Sequence, residues 1–211
     1  MTGVFITLEG GDGVGKSTQS ALLREWLEEQ GHEVVVTREP GGSDLGQEIR
    51  EIVLHRRGHI APRAEALLYA ADRAHHVETV VRPALERGAV VLQDRYLDSS
   101  VAYQGAGRVL DAAEIRDLSL WAAQGLLPDL TVLLDLDQAA ARIRLDAART
   151  RFDRLEAERA DFHERVRQAF LGLAAAEPER FLVVDAGWPR EVIAAEIRAR
   201  AHVLIAAGAS A

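Results

Sequence analysis

The stretch GGDGVGKS, from Gly10 to Ser17, contains Lys16, the only lysine in a chain of 211 residues. The other 24 of its 25 basic residues are arginines. Glycines at four of the first six positions let the backbone turn sharply and aim its N–H groups inward. The spacing Gly-x-x-x-x-Gly-Lys-Ser is typical of a phosphate-binding loop, in which the lysine reaches the β- and γ-phosphates and the serine hydroxyl binds Mg²⁺.

The segments on either side of this loop support the same interpretation. VFITLE before it is an apolar, β-branched run that predicts a buried strand, and Leu23 and Leu27 after it recur at helical spacing. The N-terminus of that helix would add a partial positive charge. The alternative, a glycine-rich turn with a solvated lysine, does not require this order of strand, loop and helix. The residues predicted to hold the nucleotide phosphates are Gly10, Gly11, Asp12, Gly13, Val14, Gly15, Lys16, Ser17 and Thr18.

Composition limits the class of protein. Apolar residues make up 48% and charged residues 27% of the chain, as in ordinary globular proteins. The chain has no cysteine, which excludes disulfides and thiolate metal sites. Its net charge of −8 argues against a broad nucleic-acid-binding surface. We expect no signal peptide and no membrane association, because the first strand starts close to the N-terminus and no apolar run could span a bilayer, and we therefore expect a cytoplasmic location.

Strands and helices alternate along the chain. Near-continuous apolar runs such as EVVVT and LTVLLD predict strands that are buried on both faces. Alternation of this kind predicts a five-stranded parallel sheet with helices on both faces, an α/β fold of the P-loop NTPase class in one domain spanning residues 1–211. We expect Pro83 to kink or end its helix and the tail 207–211 to be frayed. The strands are predicted near residues 4–9, 33–37, 89–93, 130–135 and 181–185.

Three stripes of apolar residues at helical spacing predict the faces of three helices. Two of them lie in the C-terminal third of the chain and one near its middle. The stripes are Leu67, Ala71, Ala74 and Val77; Phe162, Val166, Phe170 and Leu173; and Ile193, Ile197, Ala201 and Leu204.

Charged residues follow the second and third predicted strands. Ligands of parallel α/β sheets bind outside the carboxyl ends of the strands, where the segments 37–42 (TREPGG) and 94–96 (DRY) would meet the phosphate-binding loop. Asp94 is suited to hold Mg²⁺ through water, and Arg95 to bridge phosphates during transfer. The alternative is that strand ends are polar only because they are wet.

Two pairs of residues at i, i+4 spacing carry groups that could bind a nucleobase. Tyr69 and Arg73 would share one face of a helix, and so would Ser100 and Gln104 if that segment is helical. An aromatic ring, a guanidinium and an amide are the groups needed to stack on a base and hydrogen-bond its edge. By pattern alone, Tyr69 could equally be a core tyrosine with its hydroxyl at the surface, and Gln104 a surface amide.

At this point the sequence resembles a known family over nearly its whole length. LEGGDGVGKSTQ, TREPGG, DRYLDSSVAYQGAGR and DRLE occur in this order and at similar spacing in bacterial thymidylate kinases. The resemblance implies transfer of the γ-phosphoryl group of ATP, with Mg²⁺, to thymidine monophosphate (dTMP) as a small-molecule acceptor, a step in dTTP biosynthesis. It also implies a homodimer formed through apolar helices, for which we consider the segments 64–82 and 111–124.

The resemblance assigns roles to individual positions. Asp12 would accept a hydrogen bond from the sugar 3′-hydroxyl, and Tyr103 would pack near C2′ and disfavour ribonucleotides. Tyr69 would stack on thymine. The remaining implied contacts are Arg73, Ser100 and Gln104 to the base, and Arg38, Arg95 and, as a weaker candidate, Arg50 to the monophosphate.

A lid is implied because position 13 is a glycine. In eukaryotic relatives an arginine at this position reaches the phosphates, whereas bacterial relatives with a small residue here use an arginine from a flexible lid. The segment 142–154 holds five arginines in thirteen residues and predicts a lid at about 142–155, with Arg149 and Arg151 as the catalytic residues. A solvated basic helix face is the alternative. On this hypothesis an arginine introduced at position 13 would recover part of the rate lost with the lid arginines.

Three functions remain to be distinguished. The first is a dTMP kinase, the second a kinase for another small acceptor such as a deoxynucleoside, and the third a GTPase switch. GTPase switches recognise guanine through an Asn-Lys-x-Asp motif, which a chain with Lys16 as its only lysine cannot contain. Phosphoryl transfer needs positioning and charge neutralisation and no protein nucleophile. We therefore expect the seven histidines to be structural or surface residues.

Overall fold

Five parallel strands form the central sheet in a computed structural model that describes residues 3–108, 110–148 and 153–209. Within these ranges the strand order is β2-β3-β1-β4-β5. The five predicted strands are confirmed, two of them shifted by one residue. The strands are β1 (Val4–Glu9), β2 (Val34–Arg38), β3 (Val90–Asp94), β4 (Leu130–Asp135) and β5 (Phe181–Asp185).

Helices connect the strands. Three of them continue directly into wider π-helical turns, namely Glu51–His55 after α2, Val77–Val81 after α3 and Val101–Gly107 after α5. The helices are α1 (Lys16–Glu29), α2 (Asp44–Arg50), α3 (Pro62–His76), α4 (Arg82–Glu86), α5 (Leu97–Ser100), α6 (Ala112–Ala122), α7 (Gln138–Ala148), α8 (Ala160–Ala176) and α9 (Arg190–Ala209). The last helix therefore extends into the segment that we expected to be frayed.

Helices cover both faces of the central strands, as predicted, whereas the edge strand β2, from the run EVVVT, is only partly buried, contrary to our prediction. Alternate strand residues point to opposite faces, so that Ile6 packs with α1 and α9 on one side, while Phe5 packs on the other side against the helical segment around Val77. The predicted stripes of α8 and α9 are confirmed, since Phe170 and Ile197 are each 1% exposed. These two apolar layers fix the strands whose carboxyl ends carry the candidate site.

The stripe that begins at Leu67, on α3, does not form a buried face, so this prediction is wrong. Leu67 is 58% exposed and Ala71 is also exposed, although Val77 is buried. The buried face of α3 instead carries charged residues, among them Glu65 and Arg73, which pair with partners from other elements. Burial of charges is tolerated where each one is paired.

Pro83 does not end its helix. Helical structure runs without a break from Pro62 to Glu86, and the π-helical turns at Val77–Val81 come immediately before Pro83. A proline ring removes one backbone donor and crowds the preceding turn, and a wider turn accommodates both effects. Among the helices of the described residues, none is long and apolar enough to cross a bilayer.

Candidate active site

The phosphate-binding loop leaves β1 and turns into α1 through glycines with left-handed backbones. The φ angles of Gly10, Gly13 and Gly15 are 127°, 79° and 104°. A Cβ on Gly10 would lie 2.4 Å from the carbonyl oxygen of Leu134 in β4. Glycine is therefore required at this position both for the turn and for the close approach to the neighbouring strand.

Lys16 lies folded over this loop. Its Nζ donates hydrogen bonds to the carbonyl oxygens of Gly10 (3.1 Å) and Gly11 (2.7 Å), and the residue is 7% exposed. Burial lowers the pKa of Lys16, and the positive charge of Arg95 lowers it further. A phosphate at the loop would relieve this cost, because it would bring a negative charge to the buried ammonium.

Arg95 joins the third strand to the same loop. Its Nη1 donates to the carbonyl oxygen of Gly10 (3.0 Å), and its Nη2 donates to Asp12 Oδ1 (2.6 Å). Burial alone would raise the pKa of Asp12, but the positive charges of Arg95 and Lys16 outweigh it and lower the pKa to about 2. Asp12 is thus ionised at neutral pH and can only accept hydrogen bonds.

The backbone of Arg95 is itself unusual. Its φ of 66° is left-handed, which is uncommon for a residue with a side chain and is frequent at functional sites. Tyr96, the residue after Arg95, donates its backbone N–H to the buried Glu9 at the end of β1 (2.7 Å), and Ser99 Oγ also donates to Glu9 (2.6 Å). Ser99 Oγ in turn accepts from Arg95 Nη1 (3.1 Å). Glu9 therefore fixes the segment on which Arg95 sits.

Two oxygen ligands suited to Mg²⁺ face the loop. Ser17, the second residue of α1, is exposed, and Asp94 is the last residue of β3. Asp94 Oδ1 is buried and has no hydrogen-bond partner within the described residues. An orphaned buried carboxylate oxygen on the same cavity wall as a serine hydroxyl fits a hydrated Mg²⁺, which takes one or two protein oxygens and keeps several waters.

Arg38 and Arg50 form a second positively charged position. Burial lowers the pKa of Arg50, and the nearby positive charge of Arg38 lowers it further. Arg50 Nη1 donates to the carbonyl oxygen of Pro40 (2.9 Å), whereas neither arginine pairs with a carboxylate in the part of the chain that the structure describes. Two adjacent guanidinium groups without carboxylate partners are suited to bind a phosphate.

The four residues predicted to contact a base come together, and Arg73 is the most constrained of them. It is 1% exposed, and it donates to Glu39 Oε2 (3.0 Å), Ser119 Oγ (3.1 Å) and Ser100 Oγ (3.0 Å). Tyr69 and Gln104 are also buried. The segment of Ser100 and Gln104 is helical, as the i, i+4 spacing requires, but it widens into π-helical turns after Ser100.

Most of the residues described above line one cavity of about 860 Å³. Its wall includes the loop residues 12–18, while Gly10 and Gly11 lie outside the wall and contribute carbonyl acceptors to Lys16. Such a volume is at the upper end of the range for ligand sites. The other predicted site residues on the wall are Arg38, Arg50, Tyr69, Arg73, Asp94, Arg95, Ser100, Tyr103 and Gln104.

Sequence reasoning missed three buried carboxylates that hold these residues. Glu9 supports the segment of Arg95, Glu39 pairs with Arg73, and Glu65 accepts a hydrogen bond from Gln104 Nε2 (3.0 Å). Glu65 precedes Tyr69 by four residues, so the spacing that selected Tyr69 and Arg73 could also have selected Glu65. The partners of Glu9 lie at the start of α5 and those of Glu39 on α3, and no local pattern indicates them.

The predicted lid is described only in part. Arg149 and Arg151 lie outside the described residues. Before them, Arg144 Nη1 on α7 donates to the carbonyl oxygen of Ala186 (3.0 Å), and after them Arg154 Nε donates to the carbonyl oxygen of Val53 (2.8 Å). The backbone N–H of Arg154 also donates to the carbonyl oxygen of Leu54 (3.2 Å), so both ends of the segment are attached at or beside the cavity wall.

The structure disfavours an arginine at position 13, contrary to our expectation. The φ of Gly13 is 79°, and a Cβ there would lie 2.8 Å from the carbonyl oxygen of Ala141 in α7. A side chain would therefore require both a strained backbone and a displacement of the helix that leads into the lid segment.

Comparison with known proteins shows what the chain is similar to. The family model described as thymidylate kinase matches residues 8–197. The thymidylate kinase of Clavibacter michiganensis subsp. michiganensis is 92% identical over 211 residues, covering 100% of both chains. That of Leifsonia xyli subsp. xyli is 80% identical over 198 residues, covering 94% of each.

A solved structure extends the likeness to the fold. The crystal structure of thymidylate kinase from Ehrlichia chaffeensis is 33% identical, with a TM-score of 0.73 over 87% of this chain and 93% of that one. The family model covers most of the strands, the phosphate-binding loop and the cavity wall described above. The chain therefore belongs to the thymidylate kinase family.

Proposed function

We propose that this chain transfers the γ-phosphoryl group of ATP to dTMP, giving thymidine diphosphate, with Mg²⁺ at Ser17 and Asp94. The observation that carries the proposal is one cavity that combines a phosphate-binding loop, a polar, aromatic pocket and two arginines that have no carboxylate partner among the described residues. One end is suited to a nucleoside triphosphate, the other to a nucleoside monophosphate. The product is one phosphorylation short of dTTP.

The acceptor site would use the residues along β2, β3 and α3. Arg38 and Arg50 would bind the monophosphate, which is anionic at neutral pH, so that no general base is needed to activate it. Tyr69 would stack on the base while Arg73 and Gln104 hydrogen-bond its edge. Arg73 is already held by three partners, which supports a fixed donor at this edge of the pocket.

Asp12 and Tyr103 would bind the sugar. The low pKa of Asp12, about 2, keeps its carboxylate ionised and able to accept the 3′-hydroxyl proton in a hydrogen bond. Tyr103 OH lies 3.4 Å from Asp12 Oδ2 and would pack beside C2′. A ribose 2′-hydroxyl would meet this ring, which favours deoxyribonucleotides.

Lys16 and Arg95 would stabilise the charge that spreads over the transferring phosphoryl group. Both already donate to the carbonyl oxygen of Gly10, so their positive ends converge on one side of the loop before any nucleotide arrives. Charges placed in advance need little reorganisation during the reaction. Mg²⁺, when bound, would neutralise charge on the β- and γ-phosphates.

The remaining wall of the cavity leaves room for the rest of ATP and for a lid. Arg144, Trp188 and Arg190 line this wall beyond the loop. We assign the segment 142–155 as the lid of a single catalytic domain, with Arg149 and Arg151 as its catalytic residues. Closure would keep water from taking the phosphoryl group.

We further propose a homodimer in the cytoplasm, where ATP and dTMP are available. The support is the apolar residues that α3 and α6 leave exposed, since Leu67 is 58% and Trp121 78% exposed and the two helices pack against each other. A second copy would cover these side chains. Sedimentation equilibrium of the wild type and of Trp121→Glu tests this, because a dimer through this face should dissociate in the variant.

An acceptor panel tests the main proposal. ADP release is measured with ATP and Mg²⁺ in the presence of dTMP, dUMP, purine deoxynucleoside monophosphates or thymidine. We expect dTMP to be the best acceptor, purine monophosphates to be very poor, and dUMP to be disfavoured by only ~1–3 kcal/mol because it lacks one methyl group. Faster turnover of thymidine would instead support a deoxynucleoside kinase, and GTP hydrolysis without any acceptor would support a switch.

A further inference from the structure

Glu65 is a fully buried carboxylate at the back of the proposed base pocket. It is 0% exposed and lies on α3, one turn before Tyr69. Its Oε1 accepts a hydrogen bond from Gln104 Nε2 (3.0 Å), and its Oε2 pairs with Arg154 Nη2. Arg108 Nε lies 3.5 Å from Oε1 as a second cationic partner.

The two arginines hold this carboxylate in place. Arg154 is anchored to the protein backbone, because its Nε donates to Val53 O (2.8 Å) and its own N–H donates to Leu54 O (3.2 Å). Arg108 is also paired with Glu158 Oε1 (2.6 Å). A buried carboxylate between two such partners has little freedom to rotate or to move away from Gln104.

The contact determines which way the amide of Gln104 points. An ionised carboxylate has no proton to donate, so it can meet the amide only at its NH₂ group. The amide oxygen must then face the opposite direction. Gln104 lines the cavity, and no group within the described residues donates a hydrogen bond to its Oε1.

We propose that Glu65 is a positioning residue that sets the choice of pyrimidine, by locking Gln104 with its acceptor oxygen toward the base. The proposal rests on the function proposed above. Thymine and uracil carry a hydrogen on N3 and can donate it to that oxygen. Cytosine presents a bare N3, so two acceptors would face each other and remain unpaired.

The alternative orientation explains why the carboxylate matters. If Gln104 could rotate its amide by half a turn, its NH₂ group would face the base and would pair with N3 of cytosine. A neutral amide at position 65 permits this rotation, because it can donate to Gln104 as well as accept from it. The negative charge of Glu65 prevents it.

Glu65→Gln tests the proposal through a ratio of kcat/KM values for dTMP, dCMP and dUMP. We expect the dTMP:dCMP ratio to fall about 10–100-fold in Glu65→Gln. This is the effect of one hydrogen bond to a buried group, because N3 of cytosine would then be paired by the NH₂ group of Gln104. The dTMP:dUMP ratio should change less than about twofold, because both bases carry the N3 hydrogen and differ only by a methyl group. A purely structural role would lower all three values together and leave both ratios unchanged.

Glu158→Gln is the matched control. It makes the same chemical change in the other carboxylate that pairs with Arg108, but Glu158 does not contact Gln104. We expect both ratios to remain at their wild-type values in this variant. A fall in the dTMP:dCMP ratio equal to that of Glu65→Gln would overturn the proposal, since disturbance of the ion-pair cluster would then account for both.

Two further outcomes are informative. An unchanged dTMP:dCMP ratio in folded Glu65→Gln overturns the proposal while leaving dTMP kinase activity intact, whereas a wild-type protein that does not phosphorylate dTMP refutes the proposed function itself. If Glu65→Gln does not fold, neutron diffraction of the deuterium-exchanged wild type with dTMP locates the amide deuterons of Gln104. Deuterons directed at Glu65 support the proposal, and deuterons directed at the base overturn it.

Discussion

Replacement of Lys16 by methionine should abolish most of the catalysis and leave the fold nearly as stable as before. Methionine keeps the unbranched chain that fills this 7% exposed position and removes only the ammonium group. Burial, together with the charge of Arg95, lowers the pKa of Lys16, which means that the charged form is costly in the folded protein at neutral pH. Loss of the charge removes that cost.

The two stability contributions work in opposite directions. Hydrogen bonds from a charged donor contribute about 1.5–3 kcal/mol each, and Lys16 makes two, to Gly10 and Gly11. The desolvation of a buried ion costs several kcal/mol. We expect a net change within about 2 kcal/mol, which corresponds to a shift in Tm of about 4–8 °C at this chain length.

The effect on catalysis should be much larger. Removal of one donor that is placed in advance lowers kcat about 10²–10³-fold, or about 2.7–4 kcal/mol. Lys16→Arg is the control that keeps the charge. Its planar fork is bulkier than the ammonium, so we expect it to remain well below the wild-type kcat.

Activity is measured as ATP-dependent formation of thymidine diphosphate at saturating dTMP, and Tm by differential scanning calorimetry of the same samples. A Lys16→Met variant with kcat within a few-fold of wild type would refute the assignment of Lys16 to the phosphates. A loss of activity that is matched by a collapse of Tm would show instead that Lys16 serves to hold the loop together.

Three further predictions concern the lid, position 13 and a buried carboxylate. Combined Arg149→Ala and Arg151→Ala should lower kcat by roughly 10³–10⁵-fold, the range for arginine fingers, with a much smaller change in KM for dTMP. A double variant that keeps most of its kcat would rule out a catalytic role for these lid arginines. Gly13→Arg should lower Tm, because a left-handed backbone costs about 1–2 kcal/mol and the Cβ would lie 2.8 Å from the carbonyl oxygen of Ala141. For the same reason it should not restore kcat to the lid variant. Restored activity at an unchanged Tm would contradict the strain that the structure shows at position 13. Burial, with the charge of Asp98, raises the pKa of Glu9 from 4.5 to about 7. Between these two pH values the folded state keeps a proton that the unfolded state has lost. Wild-type stability should therefore fall as the pH rises from about 4.5 to about 7. Glu9→Gln cannot titrate, so its Tm relative to wild type should be higher at about pH 8 than at about pH 5, and an equal difference at both values would argue against the raised pKa.

The strands and the phosphate-binding loop could be predicted because their signals are local. Runs such as LTVLLD are apolar over the length of a strand, which is the pattern expected when a strand is buried on both faces. The loop is recognised from eight consecutive residues that carry both the glycines and the functional groups. Neither prediction depends on which parts of the chain meet in the folded protein.

The face that α3 buries could not be predicted by the same reasoning. An apolar stripe through Leu67 indicates a core face only if apolar residues are the ones that become buried. In this helix the buried positions include Glu65 and Arg73, and each is made tolerable by partners such as Glu39 and Arg154 that come from distant parts of the chain. Sequence periodicity contains no information about those partners.

The side chains of the site were predicted better than the groups that hold them. Tyr69, Arg73 and Gln104 were selected by their chemistry, and the cavity brings them together. The left-handed segment of Arg95 is held by hydrogen bonds to Leu8 and Glu9 of β1, and Gln104 is held by Glu65. Such supports are tertiary, so they become visible only when the fold is known.

The strand order β2-β3-β1-β4-β5 bears on how such a protein can change during evolution. The proposed acceptor residues arise from segments 34–104 beside β2 and β3, whereas the opposite wall arises from segments 138–193 beside β4 and β5. β1 and its loop adjoin both halves, and Arg154 reaches from the second half to Glu65 in the first. Mutations in one stretch of the gene can therefore change most of the residues around one nucleotide while most of those around the other are inherited unchanged. The loop between the two halves serves both nucleotides, so neither kind of change can replace it.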